Sequence, residues 1–465
     1  VRDGKKMKIV ICGAGRVGMS IAEHLSTEQN DITVIDSSSE AIQKITELHD
    51  VQGVHGLASY PNILKDAGIS EAEMIIAVTD SDEINIIACQ IANLVYNTPT
   101  KIARIRAREY LTDDFVEIFH DEKIPIDHII SPEEEVASSI VKQWRTPGAF
   151  DVAEFCKSSV TMLGILCNEN CPILETPLRQ LIDLFPDLNA TVMAIIRGTE
   201  LIVPRSGDDV LEKNDRIYLA CPTDQIERTL AAFGHLEIAS RKVTISGAGN
   251  IGIMIGKMIN NISPETNLTY IELDKDIAKF AAEQLEFASI ISGDTLDPSI
   301  IKEARVSGSS YIAATNHDEV NILSSLLAKR SGSTHTVALI NQPAFFPLVN
   351  SLEMEAVVSP PVITVSSILQ FIRKGQVEAV HSIIEDFGEV ISVEALETSP
   401  IIGKPLKEIK LPKDVSIGAI VKKGNKIFPP RGNTIIDPTD KLVIFVPVKS
   451  IKKVQDLLSV RLDYY

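Results

Sequence analysis

Short apolar runs and helical periodicities alternate along the first part of the chain. Residues 9–12 form a continuous apolar run, residues 17, 21 and 25 are apolar at helical spacing, and a second apolar run follows at 32–35. Such runs are typical of parallel strands covered on both faces, whereas the spacing indicates one buried face of a helix. Further helices are predicted at 39–48, 62–67 and 83–95, and further strands at 51–56, 74–78 and 101–105. The pattern therefore predicts a doubly wound α/β domain with a parallel sheet.

A glycine-rich turn, GAGRVG at 13–18, joins the first predicted strand to the first helix. In such a turn the first glycine permits the bend, the second lets a phosphate approach the backbone, and the third lets helix and strand pack closely. The second strand ends in Asp36, where a carboxylate can bind the two hydroxyls of an adenosine ribose. These features predict a nucleotide site. The alternative is a glycine loop that only joins two buried elements.

The same order of elements occurs a second time. Residues 241–272 read RKVTISGAGNIGIMIGKMINNISPETNLTYIE, so that a strand, a glycine turn, a helix and a second strand follow one another again. Gly247, Gly249 and Gly252 repeat the three glycines of the first turn, and Glu272 takes the place of Asp36. A repeat of this length indicates duplicated domains, not a solenoid.

Each predicted parallel sheet is followed by a helix and a small α+β domain. Ser-Pro pairs at 131–132 and 359–360 open the two helices, because proline is favoured at the first helical position. Short β-rich segments then follow, with helices predicted at 177–184 and 223–233, and residues 418–446 repeat the pattern of 193–220. The predicted segments are two Rossmann-like domains at 7–130 and 240–358, crossover helices at 131–149 and 359–377, and small domains at 150–234 and 378–460.

Composition narrows the classes of function. The 465-residue chain is 45% hydrophobic, and its most apolar segment, 362–372, is interrupted by polar residues and falls short of a bilayer span. Residues 1–6 are polar and predict no secretory signal. The formal net charge of −18 argues against nucleic-acid binding and against direct attachment to anionic lipid. Any membrane role would therefore go through a protein partner.

All six cysteines lie in the first half, and the second half repeats the plan without them. The fold therefore does not need them as a framework. Cys167 and Cys171 are close in sequence, but no histidine or second cysteine pair stands nearby, so we expect buried free thiols and no metal site.

Two further motifs carry a family resemblance. The segment AVTDSDEIN at 77–85 is echoed by AATNHDEVN at 313–321, and the strand KIARIR at 101–106 and the paired small domains accompany them. With these motifs the chain resembles, from residue 7 to about 460, the TrkA family of regulatory subunits of Trk-type potassium uptake systems, which are built from two tandem RCK (or KTN) domains.

The resemblance implies a cytoplasmic protein that is not an enzyme. Its Rossmann-like domains would bind NAD(H) or ATP/ADP, and four subunits would assemble into a ring beneath a membrane potassium-translocating subunit. Nucleotide identity would change the shape of the ring and gate the pore. The chain would then be a homotetramer, peripheral on the inner membrane through its partner and without direct membrane insertion.

The resemblance also implies site residues by position in both halves. Gly13, Gly15, Arg16 and Val17 would line the phosphates, and Asp36 would bind the ribose. The residues that would close the first pocket are Ala58, Thr79, Asn85, Arg104 and Arg106. The corresponding residues of the second half are Gly247, Gly249, Asn250, Ile251, Glu272, Asp294, Thr295 and Thr315.

Two of these residues have an alternative interpretation, and a neighbouring residue departs from the family pattern. Thr79 and Asn85 could instead satisfy backbone groups at the end of a strand and the start of a helix. Leu57 stands where the pattern G-D-A-[ST] has aspartate, whereas Asp294 keeps it in the second half. The adenine end of the first pocket therefore departs from the family.

The two nucleotide sites are predicted to be chemically unequal. Arg104 and Arg106 correspond to Leu339 and Asn341, and Arg16 is replaced by Asn250. Positive charges near a phosphate chain favour ligands with more phosphate charge, so the first site should be the charge-sensitive one. In the alternative interpretation, Arg104 and Arg106 pair with acids such as Asp113 and Asp114.

Two other classes of function share the glycine turn. An NAD-dependent dehydrogenase needs an acid or base near the nicotinamide, but each Rossmann-like domain is followed only by a small domain, and the histidines do not recur at equivalent positions. The third class is a scaffold that binds no nucleotide. The gating function thus depends on the family resemblance, because fold alone does not imply function.

Overall fold

The computed structural model describes residues 6–27, 30–111, 116–119, 124–205, 207–352, 354–372, 377–383 and 387–458. The chain divides into two compact units. The first comprises residues 1–135 with 361–368, and the second comprises residues 136–360 with 369–465.

The first unit is built on a six-stranded parallel sheet of order β3-β2-β1-β4-β5-β6. Its strands are β1 (Lys8–Cys12), β2 (Asp31–Asp36), β3 (Gln52–His55), β4 (Met74–Ala77), β5 (Thr100–Arg104) and β6 (His128–Ile130). Its helices are α1 (Arg16–Thr27), α2 (Ser39–Leu48), α3 (Pro61–Asp66) and α4 (Asp82–Tyr96), and α5 (Pro132–Arg145) follows. The strand order reverses between β1 and β4, which is where ligands of such sheets bind. The predicted doubly wound sheet is confirmed, and β6 is an addition that the sequence did not reveal.

The first small domain, in the second unit, has an antiparallel sheet of order β7-β8-β11-β9-β10. Its strands are β7 (Ala149–Phe155), β8 (Val160–Leu166), β9 (Thr191–Arg197), β10 (Glu200–Ile202) and β11 (Arg216–Pro222), with short helices α6 (Leu181–Leu184) and α7 (Ile226–Ala232). The predicted β-rich segments are strands, and β7 precedes them.

A second parallel sheet repeats the first, with the order β14-β13-β12-β15-β16-β17. Its strands are β12 (Lys242–Ser246), β13 (Asn267–Glu272), β14 (Ala288–Ser292), β15 (Ser310–Ala313), β16 (His335–Leu339) and β17 (Ala356–Val358). The helices are α8 (Asn250–Ile262), α9 (Lys275–Gln284), α10 (Pro298–Glu303), α11 (Asp318–Arg330), α12 (Phe346–Ser351) and α13 (Pro360–Ile372). The shared strand order confirms the duplication.

The second small domain has the same topology as the first, with the order β18-β19-β22-β20-β21. Its elements are β18 (Val377–Ser382), β19 (Glu389–Glu394), β20 (Ser416–Lys422), β21 (Lys426–Phe428), β22 (Lys441–Val446) and α14 (Ile451–Leu458). The two small domains share one hydrophobic core, in which Met193 and Tyr218 of the first pack with Phe445 of the second. At Gly418 an added Cβ atom would lie 2.8 Å from the Cβ atom of Ala220, which cannot rotate away, so the close approach of the two sheets favours glycine there.

All six cysteines are buried free thiols, which confirms the prediction made for Cys167 and Cys171. Burial raises the pKa of the Cys12 thiol to about 12, so this thiol stays protonated at neutral pH. Within the described residues, no helix combines the length and the apolar character needed to cross a bilayer.

Candidate nucleotide-binding sites

The first glycine turn connects β1 to α1, and its three glycines have different surroundings. Gly13 has φ +108°, and a Cβ atom there would lie 3.0 Å from the carbonyl oxygen of Val78. A Cβ atom on Gly18 would lie only 1.8 Å from the carbonyl oxygen of Gly13. A Cβ atom on Gly15 would have no neighbour within 4 Å. The fold itself therefore demands Gly13 and Gly18, whereas Gly15 faces open space that a ligand could enter.

The carboxylate of Asp36 is held beside this turn at the end of β2. Its Oδ2 accepts a hydrogen bond from the backbone N–H of Ala14 at 2.7 Å, and its Oδ1 accepts one from the N–H of Ser38 at 2.8 Å. Each carboxylate oxygen has a further lone pair. Asp36 is half-buried, so the carboxylate is oriented by the turn and retains the capacity to accept ribose hydroxyls.

The second half repeats this geometry with a longer acid. Gly247 has φ +99°, a Cβ atom on Gly252 would lie 2.1 Å from the carbonyl oxygen of Gly247, and a Cβ atom on Gly249 would again meet nothing within 4 Å. The carboxylate of Glu272 accepts the N–H of Ala248 at 2.7 Å and that of Asp274 at 3.0 Å. Both halves therefore present the same turn and an oriented acid.

Asn85 joins three elements at the carboxyl edge of the first sheet. Its Oδ1 accepts the backbone N–H of Thr79 at 2.9 Å and the Thr79 hydroxyl at 2.7 Å, and its Nδ2 donates to the carbonyls of Arg104 at 2.9 Å and Thr79 at 3.3 Å. Asn321 makes the equivalent bonds with Thr315 and Leu339. Asn85 is fully buried with its amide saturated, so it positions the pocket edge and has no free group for a ligand.

Asp82, to which sequence reasoning gave no role, braces the loop after β5. Its Oδ2 accepts the backbone N–H groups of Arg106 at 2.9 Å and Ala107 at 2.8 Å. Asp318 does the same for Asn341 and Gln342 in the second half. The signal was present in the sequence, since both motifs at 77–85 and 313–321 carry aspartate at this position.

Arg104, at the end of β5, and Arg106, just after it, are held by groups of neighbouring elements. Arg104 Nη2 lies 3.5 Å from Glu133 Oε1 at the start of α5, and the two side chains are only 15% and 20% exposed. Burial lowers the pKa of Arg104, an effect that the Glu133 carboxylate opposes. Arg106 Nε lies 3.9 Å from Asp82 Oδ1, and its Nη2 donates to the carbonyl of Asp80. Asp113 and Asp114, the partners considered from the sequence, lie outside the described residues.

The remaining predicted residues differ in their exposure. Arg16 and Asn250 are exposed at the N-termini of α1 and α8, and Val17 and Ile251 beside them are half-buried. Ala58 is buried in the core of the first unit. Thr295 is buried with its hydroxyl 2.6 Å from that of Tyr311, and Asp294 is exposed and accepts the N–H of Leu296.

Comparison with known proteins shows the same two-part organisation. The TrkA-N domain matches residues 9–132 and 243–360, and the TrkA-C domain matches residues 163–234 and 390–459. The Trk system potassium uptake protein TrkA of Azorhizobium caulinodans is 42% identical over 99% of this chain and 100% of its own length. That of Haemophilus influenzae is 35% identical over 97% of this chain and 99% of its own.

Solved structures show the same fold at low identity. The RCK domain of GsuK is 16% identical, with a TM-score of 0.59 over 98% of this chain and 96% of that chain. The GsuK channel bound to NAD is also 16% identical, with a TM-score of 0.58 over 98% of this chain and 80% of that chain. Because both domains match twice and the curated relatives are similar over nearly the whole chain, the protein belongs to the TrkA family of Trk system potassium uptake proteins.

Proposed function

We propose that the chain is the nucleotide-sensing regulatory subunit of a Trk-type potassium uptake system. It binds NAD(H), ATP or ADP at its glycine turns and gates a membrane potassium-translocating subunit. The observation that carries this proposal is the duplicated turn with an acid oriented by its own backbone, at 2.7 Å in both halves. The names of the curated relatives support the potassium system, and the NAD-bound GsuK channel supports the ligand.

The network at the sheet edge gives a route from ligand to α5. Asn85 and Asp82 tie the ends of β4 and β5 to the start of α4, and Arg104 beside them pairs with Glu133 at the first turn of α5. A phosphate chain near β5 would compete with Glu133 for the guanidinium of Arg104. Nucleotide binding is thereby coupled to the helix that leads into the next domain.

The experiment is to identify what the freshly purified protein carries. The protein is denatured, and the released compounds are identified by mass spectrometry. A stoichiometric, unreacted adenine nucleotide supports a sensor. Turnover of added NAD(H) with a substrate would instead support the dehydrogenase alternative, and the absence of any nucleotide, together with no binding in titration, would support a scaffold.

The assembly follows from the same proposal. The subunit is a homo-oligomer, a tetramer in this proposal, that stays in the cytoplasm and reaches the inner membrane through its transporter partner. Light scattering at micromolar concentration should give four times the 50.8 kDa chain mass. A monomer under these conditions would contradict assembly into a ring. Failure to co-purify with a membrane potassium transporter would contradict the proposed partner interaction.

The charge difference between the two sites leads to a testable prediction. Arg104 and Arg106 should make the first site distinguish ATP, ADP and NAD, whereas Leu339 is buried and Asn341 is bonded to Asp318 in the second. The double variant Arg104→Ala with Arg106→Ala should reduce the ratio of ATP to NAD affinity at the first site by about tenfold, or about 1.4 kcal/mol. Calorimetric titration of the full chain carrying Glu272→Ala, which weakens the second site, measures this ratio.

The matched control removes two exposed charges from the same domain, with Lys44→Ala and Lys65→Ala. The control should leave the ratio of ATP to NAD affinity unchanged. The comparison therefore distinguishes the effect of local contacts from that of overall charge. Because Arg104→Ala leaves Glu133 unpaired, the melting temperature of each variant must be measured as well. An equal preference for triphosphate in the two halves would refute the prediction.

A further inference from the structure

Positively charged side chains line a cleft on the small domains. It has a volume of about 780 Å³ and lies entirely within the second unit. Arg205 of the first small domain and residues of the second line it. The positively charged residues at this cleft are Arg205, Lys410, Lys413, Lys449 and Lys453.

In the part of the chain that the structure describes, few of the positive charges at this cleft have an acid partner. Asp414 is the one acid among the described residues that line it, and both of its oxygens accept the hydroxyl of Ser450, at 2.8 and 2.9 Å. Lys449 lies 3.4 Å from Asp414 Oδ2 and is, of the five cations, the one with an ion pair in the described part of the chain. The Nε of Arg205 donates to the carbonyl of Lys413 at 3.0 Å, which holds the guanidinium at the rim.

Such a cluster is unexpected in this protein. The chain carries a net charge of −18, and like charges brought together repel one another. The fold does not require the cluster either, because the first small domain has the same topology without it. The segment before the corresponding strand of that domain, 181–190, contains no lysine or arginine, and Asp224 stands at the position of Lys449, whereas Arg228 keeps a positive charge at that of Lys453.

We propose that this cleft binds an anion that carries two or more phosphate groups. Its volume lies within the roughly 300–1,000 Å³ of small-molecule sites. Lysine ammonium groups and an arginine guanidinium are the donors that phosphate oxygens prefer, and charge-assisted bonds of this kind are strong. The ligand is a soluble polyphosphate compound or a phosphate-bearing lipid headgroup, and either would place a second anion signal on the small domains, separate from the glycine turns.

The test uses the full chain and amine acetylation read by mass spectrometry. Inorganic tripolyphosphate should protect Lys410, Lys413, Lys449 and Lys453 at least threefold, while the exposed Lys44 and Lys279 of the parallel-sheet domains stay reactive. Protection by tripolyphosphate identifies a soluble ligand. Protection by vesicles that contain cardiolipin, whose headgroup carries two phosphates, but not by phosphatidylcholine vesicles, identifies a lipid headgroup.

Charge-reversal variants test whether the lysines of the cleft bind the anion. Lys413→Glu with Lys453→Glu should weaken tripolyphosphate or vesicle binding to the cleft at least tenfold, whereas Lys44→Glu with Lys279→Glu makes the same change in net charge and should leave it unchanged. Equal weakening by the two pairs would overturn the proposal, because binding would then follow overall charge. It would also be overturned if neither phosphate probe protected the cleft, or if only a polyglutamate peptide did so.

Discussion

Gly18→Ala should destabilise the first Rossmann-like domain and abolish its nucleotide binding. The new Cβ atom would lie 1.8 Å from the carbonyl oxygen of Gly13, and that oxygen belongs to the backbone of the turn and cannot rotate away. Overpacking usually costs 1–3 kcal/mol, so we expect about 3 kcal/mol here. Urea unfolding of the full chain measures the loss, and calorimetric titration measures the binding. Gly252→Ala should have the same effect on the second half, where the distance is 2.1 Å.

Gly15→Ala is the matched variant, because its Cβ atom would meet no protein atom within 4 Å. Its unfolding free energy should change by less than about 1 kcal/mol. Nucleotide affinity should still fall, since the second glycine of the turn is the one that lets a phosphate approach the backbone. The two variants therefore separate the structural from the binding role of the turn. If Gly15→Ala left the affinity unchanged, no phosphate would bind against this turn.

Asp36→Ala should weaken adenine nucleotide binding at the first site by about 1.5–3 kcal/mol, the contribution of a hydrogen bond to a charged group. This corresponds to about tenfold or more in the dissociation constant. The carboxylate also accepts the N–H groups of Ala14 and Ser38. The variant should therefore lose some stability as well, about 1 kcal/mol, without unfolding. Calorimetric titration with NAD and ATP, together with urea unfolding, measures both effects.

Asp50→Ala controls for the removal of one negative charge, because Asp50 is exposed in the turn before β3. It should change neither nucleotide affinity nor stability. Glu272→Ala should lower the affinity of the second site only. Unchanged affinity in Asp36→Ala would rule out this carboxylate as the ribose ligand.

The sequence alone determined five of the six strands of the first parallel sheet, the duplication and the position of the glycine turns. These features follow from local rules: buried strands and helices have characteristic apolar periods, and Gly13, with its positive φ, is demanded by backbone sterics. The pairing of Asp36 with the turn was predictable for the same reason. In a strand-turn-helix-strand unit the acid and the turn must meet at one sheet edge.

Only the tertiary structure decided what the polar groups at that edge contact. β6 has only three residues, too few to show a hydrophobic period in the sequence. This strand leads into α5, whose Glu133 thereby comes within reach of Arg104. The saturation of Asn85 and the bracing role of Asp82 depend on distances between three elements, which no local pattern encodes. The cationic cleft likewise unites Arg205 with lysines of the other small domain, because the two sheets pack on a shared core. Long-range contacts depend on packing, and packing is decided by the chain as a whole.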